Sequence, residues 1–237
     1  DTTPEGEQVN IYGNHVGSWN FAATAYLNRW KVKIYYEHYF DDHSQMFFQY
    51  GRWKDGHIGL EITFPKNRFI DTFVYEGLGT KDQTGPMLYD SFWGEFEEQI
   101  SAKDNYYNHY LYQGWQHWGM GIGNPLLPGP IYNKNGQITF ISNRVLAHHI
   151  GFCGSPCQSL SYRMLLSYSR HWGTYDNPLN EIKKQFNSLF EVTYAPQQLK
   201  GWSFTVSGAM DRGSMLGNNY GGMLVIRKQG IIKSGNK

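Results

Sequence analysis

The side chains best suited to binding chemistry in this 237-residue sequence are concentrated between Gly79 and Gly136. Aromatic planes stack against the C–H faces of sugar rings, and amide or imidazole groups hydrogen-bond to sugar hydroxyls. This segment supplies both kinds of group, so its composition suits a carbohydrate ligand. The candidate glycan-binding residues are Trp93, Tyr106, Tyr107, Tyr110, Tyr112, Trp115, Gln116, His117 and Trp118.

The same aromatic residues also have a structural interpretation. The segment is far longer than the roughly 12 to 15 residues that a connection usually spans without structure of its own. Long ordered loops pack through their own side chains, so these rings could instead form a small core or plug the interior of a barrel. The sequence leaves both interpretations open.

A second polar cluster lies near residue 40. Its members are His38, Asp41, Asp42 and His43. Such groups could bind a divalent cation or a sugar, but they are few and adjacent, which equally fits a solvated acidic loop. His148 and His149 point to opposite faces of a predicted strand and cannot chelate one metal together. We therefore predict no bound metal and no cofactor.

Patterns that indicate catalysis are weak. Glu95, Glu97 and Glu98 offer carboxylates, but the sequence does not define the separation of roughly 5 to 9.5 Å that glycoside hydrolysis requires. The glycines of segment 119–123 lead into a proline-rich stretch that cannot open a helix, so they predict tight turns rather than a phosphate site. We found no nucleophile elbow and no zinc-protease motif, and we expect no catalytic residues.

The only two cysteines, Cys153 and Cys157, have three residues between them. Their spacing suits a small disulfide across a turn in an oxidising compartment such as the periplasm. A zinc site would require further ligands that this segment lacks. The redox state of the pair stays open.

Alternation of apolar and polar residues predicts about nine β-strands. In the clearest example, Trp19, Phe21 and Leu27 alternate with small or polar residues. No run approaches the roughly 18 apolar residues of a membrane-spanning helix. The sequence therefore predicts an all-β protein. The predicted strands cover about 18–27, 30–37, 58–64, 69–78, 144–152, 160–169, 190–194, 202–211 and 220–228.

The predicted connections are sorted by length. Short turns at 28–29, 65–67, 153–158 and 195–201 alternate with long segments at 40–57, 79–136 and 170–187. Outer-membrane barrels have this arrangement, with tight periplasmic turns and large external loops. We therefore predict an antiparallel transmembrane β-barrel in a Gram-negative outer membrane, with its long loops facing the exterior.

Aromatic residues near the strand ends support the same architecture. They predict two membrane-interface girdles, flanking strands whose tilted rise of about 20 Å is compatible with an apolar band of about 25 Å. The girdle residues are Trp19, Trp30, Tyr36, Phe64, Tyr168, Tyr194 and Trp202. The opposite face carries charges such as Lys31, Glu61 and Arg163, which suit a wet lumen. The alternative is the solvent-exposed face of an antiparallel sheet in a water-soluble protein.

Charge excludes one class of partner. The 21 Lys and Arg residues against 20 Asp and Glu residues give a net charge of +1, which lacks the electrostatic footprint of a nucleic-acid-binding protein. Outer-membrane lipid and lipopolysaccharide are the partners that a membrane barrel implies. The amino terminus shows no uncleaved signal peptide, so we expect either a processed protein or a sequence that begins partway along a longer chain.

Several segments resemble the Wzi family of capsule assembly proteins, and their combination is more specific than any one of them. The segments are 35–44, 64–67, 114–126, 143–144, 147–149 and 170–175. The resemblance extends over nearly the whole chain. It implies an eighteen-stranded outer-membrane barrel that acts as a surface lectin and holds capsular polysaccharide at the cell exterior, with no catalytic step. About nine strands would form the carboxy-terminal half of such a barrel, and an amino-terminal half would be its partner.

The sequence thus predicts a single domain, residues 1–237, that is not an enzyme and binds capsular or surface polysaccharide. One alternative is a porin or transport barrel for oligosaccharides, which would require an open lumen. A second alternative is a soluble β-rich glycan hydrolase, which would require a catalytic pair of carboxylates.

Overall fold

The computed structural model describes residues 17–40, 55–67, 69–81, 105–108 and 116–230. These residues form eleven strands and one short 3-10 helix, Pro130–Tyr132. The strands are β1 (Gly17–Leu27), β2 (Trp30–Phe40), β3 (Gly56–Thr63), β4 (Thr72–Gly79), β5 (Gln116–His117), β6 (Met120–Gly121), β7 (Val145–Cys157), β8 (Leu160–Gly173), β9 (Pro178–Tyr194), β10 (Trp202–Gly213) and β11 (Asn219–Lys228). No helix in the described ranges has the length and apolar character needed to cross a membrane.

Nine of the strands form one antiparallel sheet in sequence order, with β1 and β11 as its edges and β5–β6 as a separate hairpin. The predicted all-β class and the predicted number of sheet strands are confirmed. Short turns join β1 to β2 and β7 to β8 at one end, which we call the turn end. The opposite end carries the connection 80–144 between β4 and β7, and we call it the loop end.

The strand register separates apolar from polar residues across the whole sheet. Residues paired directly across antiparallel strands lie on the same face. One row of such partners runs through all nine strands without a polar side chain: Ala25, Val32, Ile62, Phe73, Phe152, Met164, Phe190, Gly208 and Gly222. We call this side of the sheet the apolar face. Phe73 and Tyr75 of β4 therefore lie on this face.

A row three residues closer to the loop end lies on the other side of the sheet, the polar face. Its members are Ala22, Tyr35, Gly59, Glu76, His149, Ser167, Asn187, Asp211 and Asn219. Hydrogen bonds run along this row, including His149 Nδ1 to Ser167 Oγ at 2.7 Å and Asn187 Nδ2 to Asp211 Oδ1 at 2.7 Å. The sheet is therefore two-sided, with hydrogen-bonded polar groups on one face.

The described core lies on the polar face, where residues 116–144 cover the loop end of the sheet. Leu78, Val145 and Ala147 come from the sheet, and Leu127 and Phe140 come from the connection. Large side chains of the apolar face are exposed instead, among them Phe21, Ile34, Val206 and Leu224. A water-soluble sheet would cover such residues, because burial of each large apolar side chain contributes about 1.5 to 3 kcal/mol.

One of the three predicted long connections is wrong. β8 continues to Gly173 and β9 begins at Pro178, so only four residues, 174–177, join them where the sequence predicted a loop over 170–187. The missed part of β9 carries polar residues such as Asn180 and Lys183 on either side, and it therefore lacks apolar alternation. The other two long connections, after β2 and β4, are present.

Cys153 and Cys157 both lie in β7 and are free thiols in the structure. Four steps along an extended strand separate Cα atoms by about 13 Å, whereas a disulfide requires less than about 7 Å. The register shift between Gly154 and Cys157 does not bring the two sulfurs into a bond. The disulfide that the spacing suggested is not formed.

Candidate functional site

The candidate site is built around residues 105–108 and 116–144, which fold against the polar face. Asn108 fixes this segment internally, since its Nδ2 donates to the Phe140 carbonyl at 2.8 Å and its Oδ1 accepts from the Phe140 N–H at 2.7 Å. Asn143, which is buried, donates from Nδ2 to the Tyr106 carbonyl at 2.9 Å. Thr80 donates to the Asn143 carbonyl at 2.7 Å and so attaches the segment to the end of β4.

Two of the predicted glycan-binding tyrosines belong to this packing. Tyr106 is 4% exposed, and its hydroxyl donates to Asp55 Oδ2 at 3.0 Å. The ring of Tyr107 stacks on Phe140 with centroids 5.0 Å apart. Tyr106 is therefore buried in this packing, whereas the partly buried Tyr107 has one ring face against Phe140. Trp93, Tyr110, Tyr112 and Trp115 lie outside the described residues.

The remaining three predicted residues come together on the β5–β6 hairpin. Trp118, at the hairpin turn, is 83% exposed and has a positive φ of 52°. The His117 ring lies 6.2 Å from the Trp118 ring in an edge-on arrangement. Gln116 Oε1 accepts the Gly119 N–H at 2.7 Å and closes the turn. The result is an exposed indole on a short, hydrogen-bonded hairpin.

The hairpin is anchored to the rest of the segment by glycines. The Ile131 N–H donates to the Gly119 carbonyl at 2.8 Å, and a Cβ at Gly119 would lie 2.9 Å from the Ile131 nitrogen. Gly119 and Gly123 both have positive φ, at 78° and 107°. The glycine-rich stretch therefore forms tight turns, as the sequence predicted, because glycine adopts this backbone conformation without strain.

The polar face holds a connected network beneath the segment. His57 lies between two carboxylates, with Nδ1 3.8 Å from Glu37 Oε2 and Nε2 3.5 Å from Glu76 Oε1. The Tyr35 ring lies across Gly59, and a Cβ at position 59 would overlap this ring. The Tyr35 hydroxyl donates a hydrogen bond to Glu76 Oε1. The network is internally paired, as buried or half-buried charges must be to avoid a large desolvation cost.

A cavity of about 240 Å³ separates this network from the segment above it. His57, Glu76 and His149 line its floor, and residues 124–126 form its roof. This cavity cannot be found from the sequence, because its floor residues are up to 92 positions apart (149 − 57) and only the strand register brings them together. The cavity offers carboxylate, imidazole and hydroxyl groups to a small polar molecule or to water.

The second predicted cluster is only partly described. His38 is almost fully buried, and its Nδ1 lies 3.2 Å from the Asp55 carbonyl oxygen. It is therefore packed within the protein rather than presented in an open loop. Asp41, Asp42 and His43 lie outside the described residues. In the described part of the chain, no three His, Cys, Asp or Glu side chains are grouped closely enough to hold a metal ion.

Two further histidines have structural contacts on opposite faces, as predicted. His148 Nδ1 lies 2.8 Å from the Tyr75 hydroxyl on the apolar face, while His149 contacts Ser167 on the polar face. Near the loop end of β8, beyond Arg170, burial lowers the pKa of His171 to about 4. This ring is therefore neutral at neutral pH, and its Nε2 lies 2.8 Å from Ser169 Oγ.

Six of the seven predicted girdle residues lie on the apolar face of a strand, and Phe64 directly follows β3. The seven residues fall into two groups. Trp30, Phe64, Tyr194 and Trp202 lie at the turn end, whereas Trp19, Tyr36 and Tyr168 lie at the loop end. At the turn end the Trp30 and Phe64 ring centroids are 5.0 Å apart. At the loop end Tyr36 and Tyr168 belong to the same row of register partners.

Comparisons with known proteins identify no relative of this chain. No family model matches the sequence. No curated protein and no solved structure matches it either.

Proposed function

We propose that this chain forms part of a transmembrane β-barrel in the outer membrane of a Gram-negative bacterium, with its apolar face against lipid. The observation that carries the proposal is the row of apolar partners through all nine strands, on a face whose large side chains are exposed. Aromatic residues at both ends of that face match the interface girdles of such barrels. In β8 the spanning part would run from Tyr162 to Tyr168, because Arg170 follows on the same face.

The polar face would line the interior of the barrel. Its hydrogen bonds and ion pairs are suited to a wet lumen, and the segment over residues 116–144 would fill part of that lumen at the loop end. In the described sheet, β1 and β11 each have a neighbour on one side. Lipid cannot satisfy an open strand edge, so we expect further strands to pair with both. A second, amino-terminal half of an eighteen-stranded barrel would supply them.

We further propose that the protein binds capsular or surface polysaccharide without chemical conversion and holds it at the cell surface. Support comes from Trp118 and His117, an exposed indole and imidazole on a hairpin of the loop-end segment. In an outer-membrane barrel the long connections face the exterior. An indole fixed by backbone hydrogen bonds loses little conformational entropy when a sugar stacks on it.

The Trp118→Ala substitution tests this binding role. Loss of one stacking surface removes about 1.4 kcal/mol, so we expect the Kd for capsular polysaccharide to rise about tenfold. The Ile138→Ala substitution is the matched control, because Ile138 is an exposed apolar residue of the same segment. Calorimetric titration of the detergent-purified parent protein measures both. Equal affinity of the two variants would contradict a role for Trp118, and no binding by the parent protein would favour a transport barrel with measurable single-channel conductance.

A further inference from the structure

Three cations occupy neighbouring positions on the apolar side of the sheet at its loop end. Arg170 of β8 is paired directly with Lys184 of β9, and Arg212 of β10 is paired with Phe186 of β9. Tyr168 and Phe186 are also register partners, in the same row as Arg212 and two residues below Arg170 and Lys184. Arg170 and Lys184 therefore lie immediately beyond the aromatic end of the apolar face, and Arg212 lies level with that end.

No carboxylate in the described chain neutralises these cations. None of the three takes part in an ion pair with a described residue, although Arg163 pairs with Glu191 at 3.3 Å on the polar face. Asp211, next to Arg212 in sequence, points to the polar face and accepts a hydrogen bond from Asn187. Arg170 and Lys184 are like charges on direct cross-strand partners, an arrangement that is destabilising unless an anion lies between them. This surface therefore carries an excess of positive charge.

An aromatic and basic platform extends the cluster towards β4. Lys81 Nζ lies 5.0 Å from the centroid of the Trp172 ring, and Arg170 Cζ lies 5.4 Å from it. Arg144 donates from Nε to the Lys81 carbonyl at 3.2 Å and stacks over Tyr175 at 4.0 Å. Cation–π contacts hold these long side chains in place, so the positive charge lies at a defined position.

We propose that this cluster binds the phosphate groups of a phosphorylated glycolipid headgroup in the outer leaflet. The proposal rests on the proposed membrane location. Arginine guanidinium groups hydrogen-bond to phosphate in a bidentate manner, and lysine adds a compact charge. Acyl chains of the same lipid would lie on the apolar face directly below, against Tyr168 and Phe186. The position of the cluster at this boundary, rather than on the exposed hairpin, favours a lipid over a soluble anionic polysaccharide.

The test compares two triple variants of the full-length protein purified in mild detergent. One variant carries Arg170→Gln, Lys184→Gln and Arg212→Gln. The control variant carries Arg29→Gln, Lys66→Gln and Lys200→Gln, which remove the same charge from the turn end. Native mass spectrometry measures the phosphorylated glycolipid that each protein retains, and heat-modifiable migration on gels shows whether each is folded.

We expect the loop-end variant to retain at least tenfold less phosphorylated glycolipid than the control while both remain folded. Equal retention would overturn the proposal. Enzymatically dephosphorylated glycolipid added back to the delipidated protein should bind at least tenfold more weakly, and equal binding of the two lipids would overturn a phosphate site. Inorganic phosphate should not displace the lipid at millimolar concentration, whereas displacement would assign the site to free phosphate. Absence of the protein from the membrane fraction would contradict the proposed function itself. The lipid measurements test only the phosphate site.

Discussion

The Leu224→Arg substitution is expected to destabilise the protein in a lipid bilayer by about 2 to 4 kcal/mol, the cost of placing arginine near the midplane of a barrel's lipid face. Leu224 lies midway along the apolar side of β11, opposite Val206 of β10. It is 65% exposed. In a water-soluble sheet, a substitution at such an exposed site would change stability by no more than about 0.5 kcal/mol.

The neighbouring residue provides the control. Met223 is 56% exposed but lies on the polar face, opposite Ser207. We expect Met223→Arg to change the free energy of unfolding by less than about 1 kcal/mol, because the added charge remains hydrated in the lumen. Denaturant titrations of both variants in lipid vesicles measure the difference. A loss of less than about 1 kcal/mol in both variants would indicate that both faces contact water.

The Phe140→Ala substitution is expected to release the segment that covers the polar face. Phe140 is 2% exposed and packs with Leu127 and Val145 in the buried core. Truncation of a buried phenylalanine costs about 3 to 5 kcal/mol. Since about 1.4 kcal/mol corresponds to a factor of ten, local opening should become at least about a hundredfold more frequent.

Limited proteolysis of the folded protein measures this opening through the rate of cleavage within residues 116–144. The Ile138→Ala variant is the control, because Ile138 is two positions away and 52% exposed. Its cleavage rate should stay close to that of the unchanged protein. If Phe140→Ala left the cleavage rate unchanged as well, the packing of this segment against Val145 would not be what holds it in place.

The sheet could be predicted from the sequence because its two faces differ chemically. Residues such as Trp202, Phe204 and Val206 alternate with Ser203 and Thr205, and a strand has a repeat of two residues. That pattern is enough to locate nine strands, although the faces of β4 follow only from its pairing with β3 and β7. It does not extend to the beginning of β9, where polar residues occupy both sides of the strand and only pairing with β8 keeps the chain extended.

The candidate site was less predictable. Composition alone placed Tyr106, Tyr107 and Trp118 in one aromatic set, although the structure buries Tyr106 and exposes Trp118. A connection without a regular repeat gives no information on which rings pack inward. Asn108 and Asn143, which hold the segment together through hydrogen bonds to its backbone, carry no periodic signal either.

The polar network and the basic cluster can be identified only from the register in which the strands pair. Tyr35, Gly59 and Glu76 are neighbours only because β2, β3 and β4 pair with particular partners. A shift of one residue in any pair would move the polar side chains to the other face. Arg170 and Lys184 likewise become neighbours through the β8–β9 register, and the predicted loop over 170–187 had hidden that pairing.

The most direct test of the proposed orientation is lipid accessibility along β10 in the membrane-reconstituted protein. Single cysteines would replace Phe204 to Ala209 one at a time, after Cys153 and Cys157 are changed to serine, and each would carry a fluorophore. We predict that quenchers attached to lipid chains reduce the signal at Phe204, Val206 and Gly208 but not at Thr205, Ser207 and Ala209. Equal quenching at all six positions, or quenching only by water-soluble agents, would contradict a lipid-facing apolar face.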